Sequence, residues 1–122
     1  MGRFYSPCVL QNHSDRTQSV RIPKLLVDTG SGYTWIPEAS LRRIGVAQEK
    51  KDVPFMMANG QHITRNVGFA IVRVGEFFTI DEVVFAKKRD PALIGARTLE
   101  GLNLVVDARQ KKLVAAGPLP AA

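Results

Sequence analysis

Apolar residues in this chain come in short alternating runs broken by Gly, Pro, Asn and Asp, a pattern of strands joined by tight turns. Residues 4 to 11, with Phe4, Tyr5, Val9 and Leu10, predict a first strand interrupted at Pro7. Asn12-His13-Ser14-Asp15-Arg16 is a run of turn formers between two hairpin strands. Val20 and Ile22 lead into Leu25-Leu26-Val27, so the second strand becomes continuously apolar towards its end, as a strand buried on both faces does. Pro23 fits an edge or a bulge within it.

Tyr33-Thr34-Trp35-Ile36 predicts a short strand stopped by Pro37, and Glu38 to Ile44 a helix of one to two turns closed by Gly45. Val46 to Asp52 reads as a polar loop. Val53 to Ala58 then meets Asn59-Gly60, the dipeptide that most favours a type I′ hairpin turn, and Gln61-His62-Ile63-Thr64 leads back. Strand character continues through Val67, Phe69, Ile71 and Val74, turns at Gly75-Glu76, and resumes as 77–80 and 83–85. After a charged loop from Lys87 to Pro91, Ala92-Leu93-Ile94-Gly95 is a second apolar run ending in glycine. Ala96 to Glu100 predicts a short helix closed at Gly101, and Leu102 to Val106 and Leu113-Val114 the last strands.

The sum is eight or more short strands with one or two short helices, hence a mostly β fold as a closed or folded barrel. At 122 residues and 45% hydrophobic, a single domain spanning residues 1–122 is expected, with 1–19 as an N-terminal strand and loop region and 116–122 as a flexible tail. No run approaches the roughly 20 apolar residues of a membrane span. Met1 to Leu10 lacks a signal peptide's apolar stretch, so a cytoplasmic chain, or a segment of a longer precursor, is expected. Cys8 is the one cysteine and reads as apolar filler, and with His13 and His62 far apart no metal-ligand spacing or cofactor motif is found. The net charge of +6 is spread over short pairs such as Arg42-Arg43 and Lys50-Lys51 with little aromatic interleaving, which argues for solvated faces rather than a nucleic-acid surface.

The chemistry concentrates at Val27-Asp28-Thr29-Gly30-Ser31, where one carboxylate stands in a small-residue turn at the end of a buried strand. Gly30 permits positive φ and close backbone approach, while Thr29 and Ser31 offer hydroxyls that tie the loop. Taken alone the stretch reads first as an Asx or Ser/Thr turn. The second glycine-terminated run at 93–95 and the hairpin tip at 59–60 make three elements that could surround one site.

In this order the motifs resemble those of the retropepsin-like aspartic proteases, over roughly residues 20 to 115. Leu26 to Ser31 is similar to the family's catalytic Asp-Thr-Gly signature, Leu93-Ile94-Gly95 to its second hydrophobic-hydrophobic-glycine signature, and Met57 to His62 to the flap hairpin. Ser31-Gly32 and the single flap glycine depart from the viral pattern, and the termini do not copy the strands with which viral members dimerise. The resemblance implies an aspartic endopeptidase acting on polypeptide, with Asp28, Thr29 and Gly30 catalytic, Ser31, Asn59, Gly60, Gln61 and Ile94 binding substrate, and no cofactor. Trp35, Ile36, Phe55 and Met57 are candidate pocket walls.

Carboxylate hydrolysis of a peptide bond takes two carboxylates, one to accept a proton from water and one to hydrogen-bond the carbonyl. This chain has one Asp-Thr-Gly, and Asp15, Asp52, Asp81, Asp90 and Asp107 read as turn, cap or surface residues. A homodimer with Asp28 from each copy is therefore expected, the pair sharing a proton and working in acidic to mildly acidic solution. Ser31 would donate to the outer carboxylate oxygen. The competing reading is a peptide-binding module that keeps the fold without hydrolysis.

Overall fold

A computed structural model describes residues 3–121; Met1, Gly2 and Ala122, the outer ends of the expected N-terminal region and tail, lie outside the described residues. The elements in chain order are β1 (Tyr5–Gln11), β2 (Ser19–Val27), β3 (Thr34–Pro37), α1 (Glu38–Arg43), β4 (Lys50–Met56) and β5 (His62–Val74). They continue with β6 (Phe77–Ala86), β7 (Leu93–Ile94), α2 (Ala96–Leu102), β8 (Leu104–Asp107) and β9 (Lys112–Ala115). Seven strands form one sheet in the order β1-β2-β7-β3-β6-β5-β4, and β1 also pairs with β5, which rolls the sheet into a near-barrel. The mostly β fold with two short helices is the retropepsin-like architecture expected. β8 and β9 form a separate two-stranded hairpin.

Closure depends on β5. Its first half carries β4, from Met56↔His62 to Lys50↔Val67, and its second half pairs with β6 from Val67↔Val84 to Val74↔Phe77. Where β4 has ended, β1 takes the vacated edge at Val9↔Arg73 to Gln11↔Ile71. One strand thus serves both the barrel and the hairpin that projects from it.

Successive side chains on a strand point to opposite faces, and two short strands are buried on both. On β3, Ile36 enters the barrel core with Leu10, Val72 and Phe85, while Trp35 joins a second cluster with Val67, Val84 and Leu93. On β7 Ile94 lies in the first cluster and Leu93 in the second. Each such side chain removed from water contributes on the order of 1.5–3 kcal/mol, so β3 and β7 are held from both sides. Cys8 is buried in the first cluster, and that burial pushes its thiol up to about 12, which makes it an inert filler.

Several boundaries differ from expectation for local reasons. β1 is not interrupted at Pro7; it runs through, and the irregularity is a register shift in which Ser6↔Leu25 is followed by Cys8↔Ile22, leaving an extra residue on β2 at Pro23-Lys24. The polar stretch before Val53 already belongs to β4, which starts at Lys50 and absorbs Asp52 at φ 54 in a second shift. The segments 77–80 and 83–85 are one strand, β6. Gly101 does not close α2; the helix continues to Leu102 and Asn103, at φ 56, caps it. A Cβ at Gly101 would lie 2.5 Å from Thr79 Oγ1, so that glycine serves close packing of α2 on β6. Residues 116–121 carry no regular structure, and the Asn103 carbonyl accepts the Ala116 N–H at 2.9 Å.

Asp90 is also more than a surface residue. Arg65 on β5 donates Nε–H to Asp90 Oδ2 at 2.6 Å and Nη2–H to Oδ1 at 2.8 Å, a bidentate pair that ties the base of the β4–β5 hairpin to the 87–90 loop. The Lys87 N–H adds a bond at 2.8 Å. The Arg65 guanidinium holds the Asp90 carboxyl below the usual carboxylate range. A carboxyl lowered in the folded state adds stability above its unfolded pKa and loses it as pH falls through the folded value. Arg65→Ala should therefore cost about 1–3 kcal/mol in urea unfolding at pH 7, with the gap from the parent chain narrowing as pH drops below about 4. A gap that stays constant across that range would exclude the pair as its source.

Candidate active site

β2 and β7 run parallel in the register Leu26↔Leu93 and Val27↔Ile94, and the Asp28 N–H continues the ladder by donating to the Ile94 carbonyl at 2.9 Å. The chain then turns back on itself. Ser31 N–H donates to the Asp28 carbonyl at 3.2 Å, and Gly30 N–H to Asp28 Oδ1 at 2.9 Å, an Asx turn that fixes the carboxylate's rotamer. Asp28 is half-buried, whereas Thr29 and Gly30 are exposed. Among the described residues no hydrogen bond engages the Thr29 hydroxyl.

Two expectations for this loop are corrected. Ser31 Oγ donates to the Tyr33 carbonyl at 3.0 Å, not to the carboxylate, because the turn carries its side chain back along the loop. Gly30 does not have positive φ, and a Cβ there would meet only Asp28 Oδ1, at 3.3 Å.

The glycine that the loop requires is Gly95. A Cβ on it would collide with the Tyr33 carbonyl oxygen, and would lie 2.6 Å from the Tyr33 carbonyl carbon and 2.8 Å from the Ser31 oxygen. The chain after Gly95 donates Ala96 N–H to the Ser31 carbonyl at 2.7 Å and Arg97 N–H to the Gly32 carbonyl at 3.2 Å, so unpaired amides at the start of α2 are satisfied by the Asp28 loop. Behind the crossing, Gly95 N–H donates to Thr34 Oγ1, which contacts Thr98 Oγ1, and Thr98 donates to Asp81 Oδ2. Asp81, expected at the surface, is thus an acceptor for a buried hydroxyl.

The β4–β5 hairpin reaches the same region. Its inner side chains Val53, Phe55, Met57 and Ile63 pack on the Trp35–Leu93 cluster together with Leu26 and Tyr33. The Phe55 ring stands edge-on to Tyr33 at 5.2 Å and tilted to Trp35 at 5.3 Å. The expected type I′ turn at Asn59-Gly60 is not formed, because Asn59 lacks the positive φ that turn needs. Instead Gly60 N–H returns to the Met57 carbonyl at 2.8 Å and Met57 N–H meets the Gln61 carbonyl at 2.8 Å, a three-residue loop with Gly60 at φ +84. Asn59 Oδ1 accepts the Gln61 N–H at 2.9 Å, and Asn59, Gly60 and Gln61 are exposed at the tip.

Asp28 borders an open cavity of about 670 Å³, lined also by Arg3, Phe4, Leu26, Val27, Thr29 and Val106. Residues 19–101, about two thirds of the chain, match the family model described as gag-polyprotein putative aspartyl protease. The chain belongs to this family of retropepsin-like aspartic proteases. A comparison with curated proteins gives no match.

The matched region of this aspartyl protease family member contains the Asp28 loop, the β4–β5 hairpin and Gly95. The fold brings Asp28, Thr29, Gly30 and Ser31 into one loop beside the Ile94 carbonyl. Ile94 supports the loop through its backbone, since its side chain is 0% exposed in the barrel core. Ile36 is likewise core. The neighbouring Leu93 faces the other way, into the cluster with Trp35, Leu26 and Tyr33, as the period-two alternation of a strand dictates.

Because Gly95 has no room for a side chain, Gly95→Ala should lower stability by about 3 kcal/mol or more. Gly32→Ala, with nothing within 4 Å of a Cβ, should stay within about 0.5 kcal/mol of the parent chain. Equal unfolding midpoints for the two variants would contradict the crossing geometry.

Proposed function

We propose that this chain is an aspartic endopeptidase active as a homodimer, each copy supplying one Asp28 to a dyad across a two-fold axis. The observation that carries this reading is that a single carboxylate, Asp28, borders the open cavity, whose other lining residues supply none. Chemistry that takes two carboxylates then takes two chains. The same surface meets itself in such a pair, which puts the two loops face to face.

Within the dyad one carboxylate is ionised and one protonated, because like charges in close contact disfavour double ionisation. The ionised group takes a proton from water as the water oxygen attacks the scissile carbonyl. The protonated group hydrogen-bonds the carbonyl oxygen as negative charge develops on it. Proton transfer to the amide nitrogen lets the C–N bond of the tetrahedral intermediate break, releasing an amine and a carboxylic acid.

The other residues have distinct parts. Thr29, exposed and without a hydrogen-bond partner among the described residues, bonds across the axis to hold the loops in register. Gly30, which its own fold does not require, leaves space for an approaching backbone. The hairpin 57–61 covers an extended polypeptide as a lid. Gly60 and Gln61 N–H groups are engaged inside the hairpin, so the substrate's hydrogen bonds at the tip fall to Ala58 and Asn59. Ser31 orders the loop, and the apolar wall is Leu26, Tyr33, Phe55, Met57 and Leu93.

Asp28→Asn should lower cleavage of an unfolded protein by at least about 10³-fold, with circular dichroism and the sedimentation profile unchanged; a fully active variant would end the assignment. Diluted below its dimer dissociation constant, the parent chain should lose activity with the square of concentration, whereas strictly linear loss would mean a monomeric site. The pH profile of kcat/KM should be bell-shaped, reporting the dyad as a coupled pair, and Asp28→Asn should erase both limbs.

A further inference from the structure

The Ile94–Gly95 peptide unit is bonded at both ends. Its carbonyl accepts the Asp28 N–H at 2.9 Å, and its N–H donates to Thr34 Oγ1 at 3.0 Å. Thr34 Oγ1 is in hydrogen-bond contact with Thr98 Oγ1, and Thr98 Oγ1 donates to Asp81 Oδ2 at 2.9 Å. Thr34 is 1% exposed and Thr98 0%, so water does not compete for either hydroxyl.

The order of donors follows from counting protons. A threonine hydroxyl has one hydrogen, and an ionised carboxylate only accepts. Thr98 therefore gives its proton to Asp81, which obliges Thr34 to give its own to Thr98 and to receive the Gly95 N–H on a lone pair. Every bond points the same way, from the Asp28 main chain through the Ile94–Gly95 peptide and two hydroxyls to Asp81. Bonds aligned head to tail in a dry interior polarise one another. The far end is fixed as well, since Asp81 Oδ1 accepts the Glu82 N–H at 2.7 Å on β6.

We infer that Asp81, acting through Thr98 and Thr34, is a positioning residue for Asp28, setting the donor direction of the chain that anchors the Asp28 amide. The inference rests on Asp28 being catalytic. Without an acceptor-only group at the end, the Thr98 proton can turn back to Thr34, whose own proton then loses its acceptor in a buried site. Thr34 Oγ1 would then be held less firmly as the acceptor of the Gly95 N–H, and the Asp28 ladder bond would lose part of its backing.

Thr98→Val keeps the side chain's shape and removes the hydroxyl, Thr98→Ser keeps the hydroxyl, and Asp81→Leu removes the acceptor. In the dimeric protein, Thr98→Val and Asp81→Leu should lower kcat about 10-fold with KM within two-fold of the parent, and Thr98→Ser should recover most of the loss. Amide hydrogen exchange at Asp28 and Gly95 should quicken in both impaired variants while exchange at Val83 and Val84 stays unchanged. Unchanged exchange at Asp28 and Gly95 in folded Thr98→Val would overturn the inference, as would acceleration spread evenly over the sheet. Should Thr98→Val fail to fold, Asp81→Asn, which keeps an acceptor oxygen, and Asp81→Leu are compared at the same two amides; equal exchange in this pair and the parent would also overturn it. An Asp28→Asn chain as active as the parent would remove the catalytic reading alone, and the exchange measurement would still decide whether Asp81 governs the anchor.

Discussion

The absence of a side chain at Gly95 is the constraint on which the rest depends. Two chain segments cross there so closely that the Ser31 and Tyr33 carbonyls occupy the space a Cβ would take. At that distance the amides of Asp28, Ala96 and Arg97 find acceptors across the crossing, and none needs water. An unpaired buried amide costs more than a typical hydrogen bond returns, so the crossing is self-consistent only when all of these contacts form together. Asp28 inherits the position of its main chain from that cooperativity, and the Gly30 N–H then sets the rotamer of its carboxylate.

The same two strands carry the load outwards. β3 and β7 are short, yet each is apolar on both faces and each joins the barrel core to the cleft-side cluster. The hairpin residues Phe55 and Met57 therefore pack against the cluster of Trp35 and Leu93, and Trp35↔Leu93 pairs β3 with the strand that leads to Gly95. Closely packed interiors do not deform smoothly, which makes the hairpin and the Asp28 loop mechanical neighbours although no hydrogen bond joins them among the described residues.

Much of this was legible in the sequence because it depends on local signals. Alternating runs and turn dipeptides were enough for a mostly β barrel, and the resemblance of two glycine-ended apolar segments to the family's signatures set Asp28 beside Gly95. What was not legible depends on partners distant in the chain. Gly101 looks like a helix terminator, but Thr79 on β6 is the reason for it. Asn59-Gly60 has the composition of a type I′ turn, and the strands it joins select a three-residue loop instead. Asp81 and Asp90 carry no motif; their partners Thr98 and Arg65 lie 17 and 25 residues away, at a separation no local pattern reports. Ile94 and Leu93 differ only in the face they take, which a register fixes and composition does not.

Gly30 and Thr29 carry the argument past a single chain. Among the described residues no buried side-chain polar atom lacks a partner, and Gly45, Gly60 and Gly75 take the positive φ that suits glycine. Gly30 has no strained φ, a Cβ there would meet only Asp28 Oδ1, at 3.3 Å, and among the described residues the adjacent Thr29 hydroxyl has no partner. The interior is fully satisfied, while the exposed Thr29 and Gly30 stand beside the Asp28 carboxylate, where the proposed pairing would use them. In the proposed homodimer a second copy of the loop would supply both a backbone to pass the bare glycine and a matching hydroxyl. The features that the fold of one chain leaves unexplained are the ones a two-fold pairing at Asp28 would use.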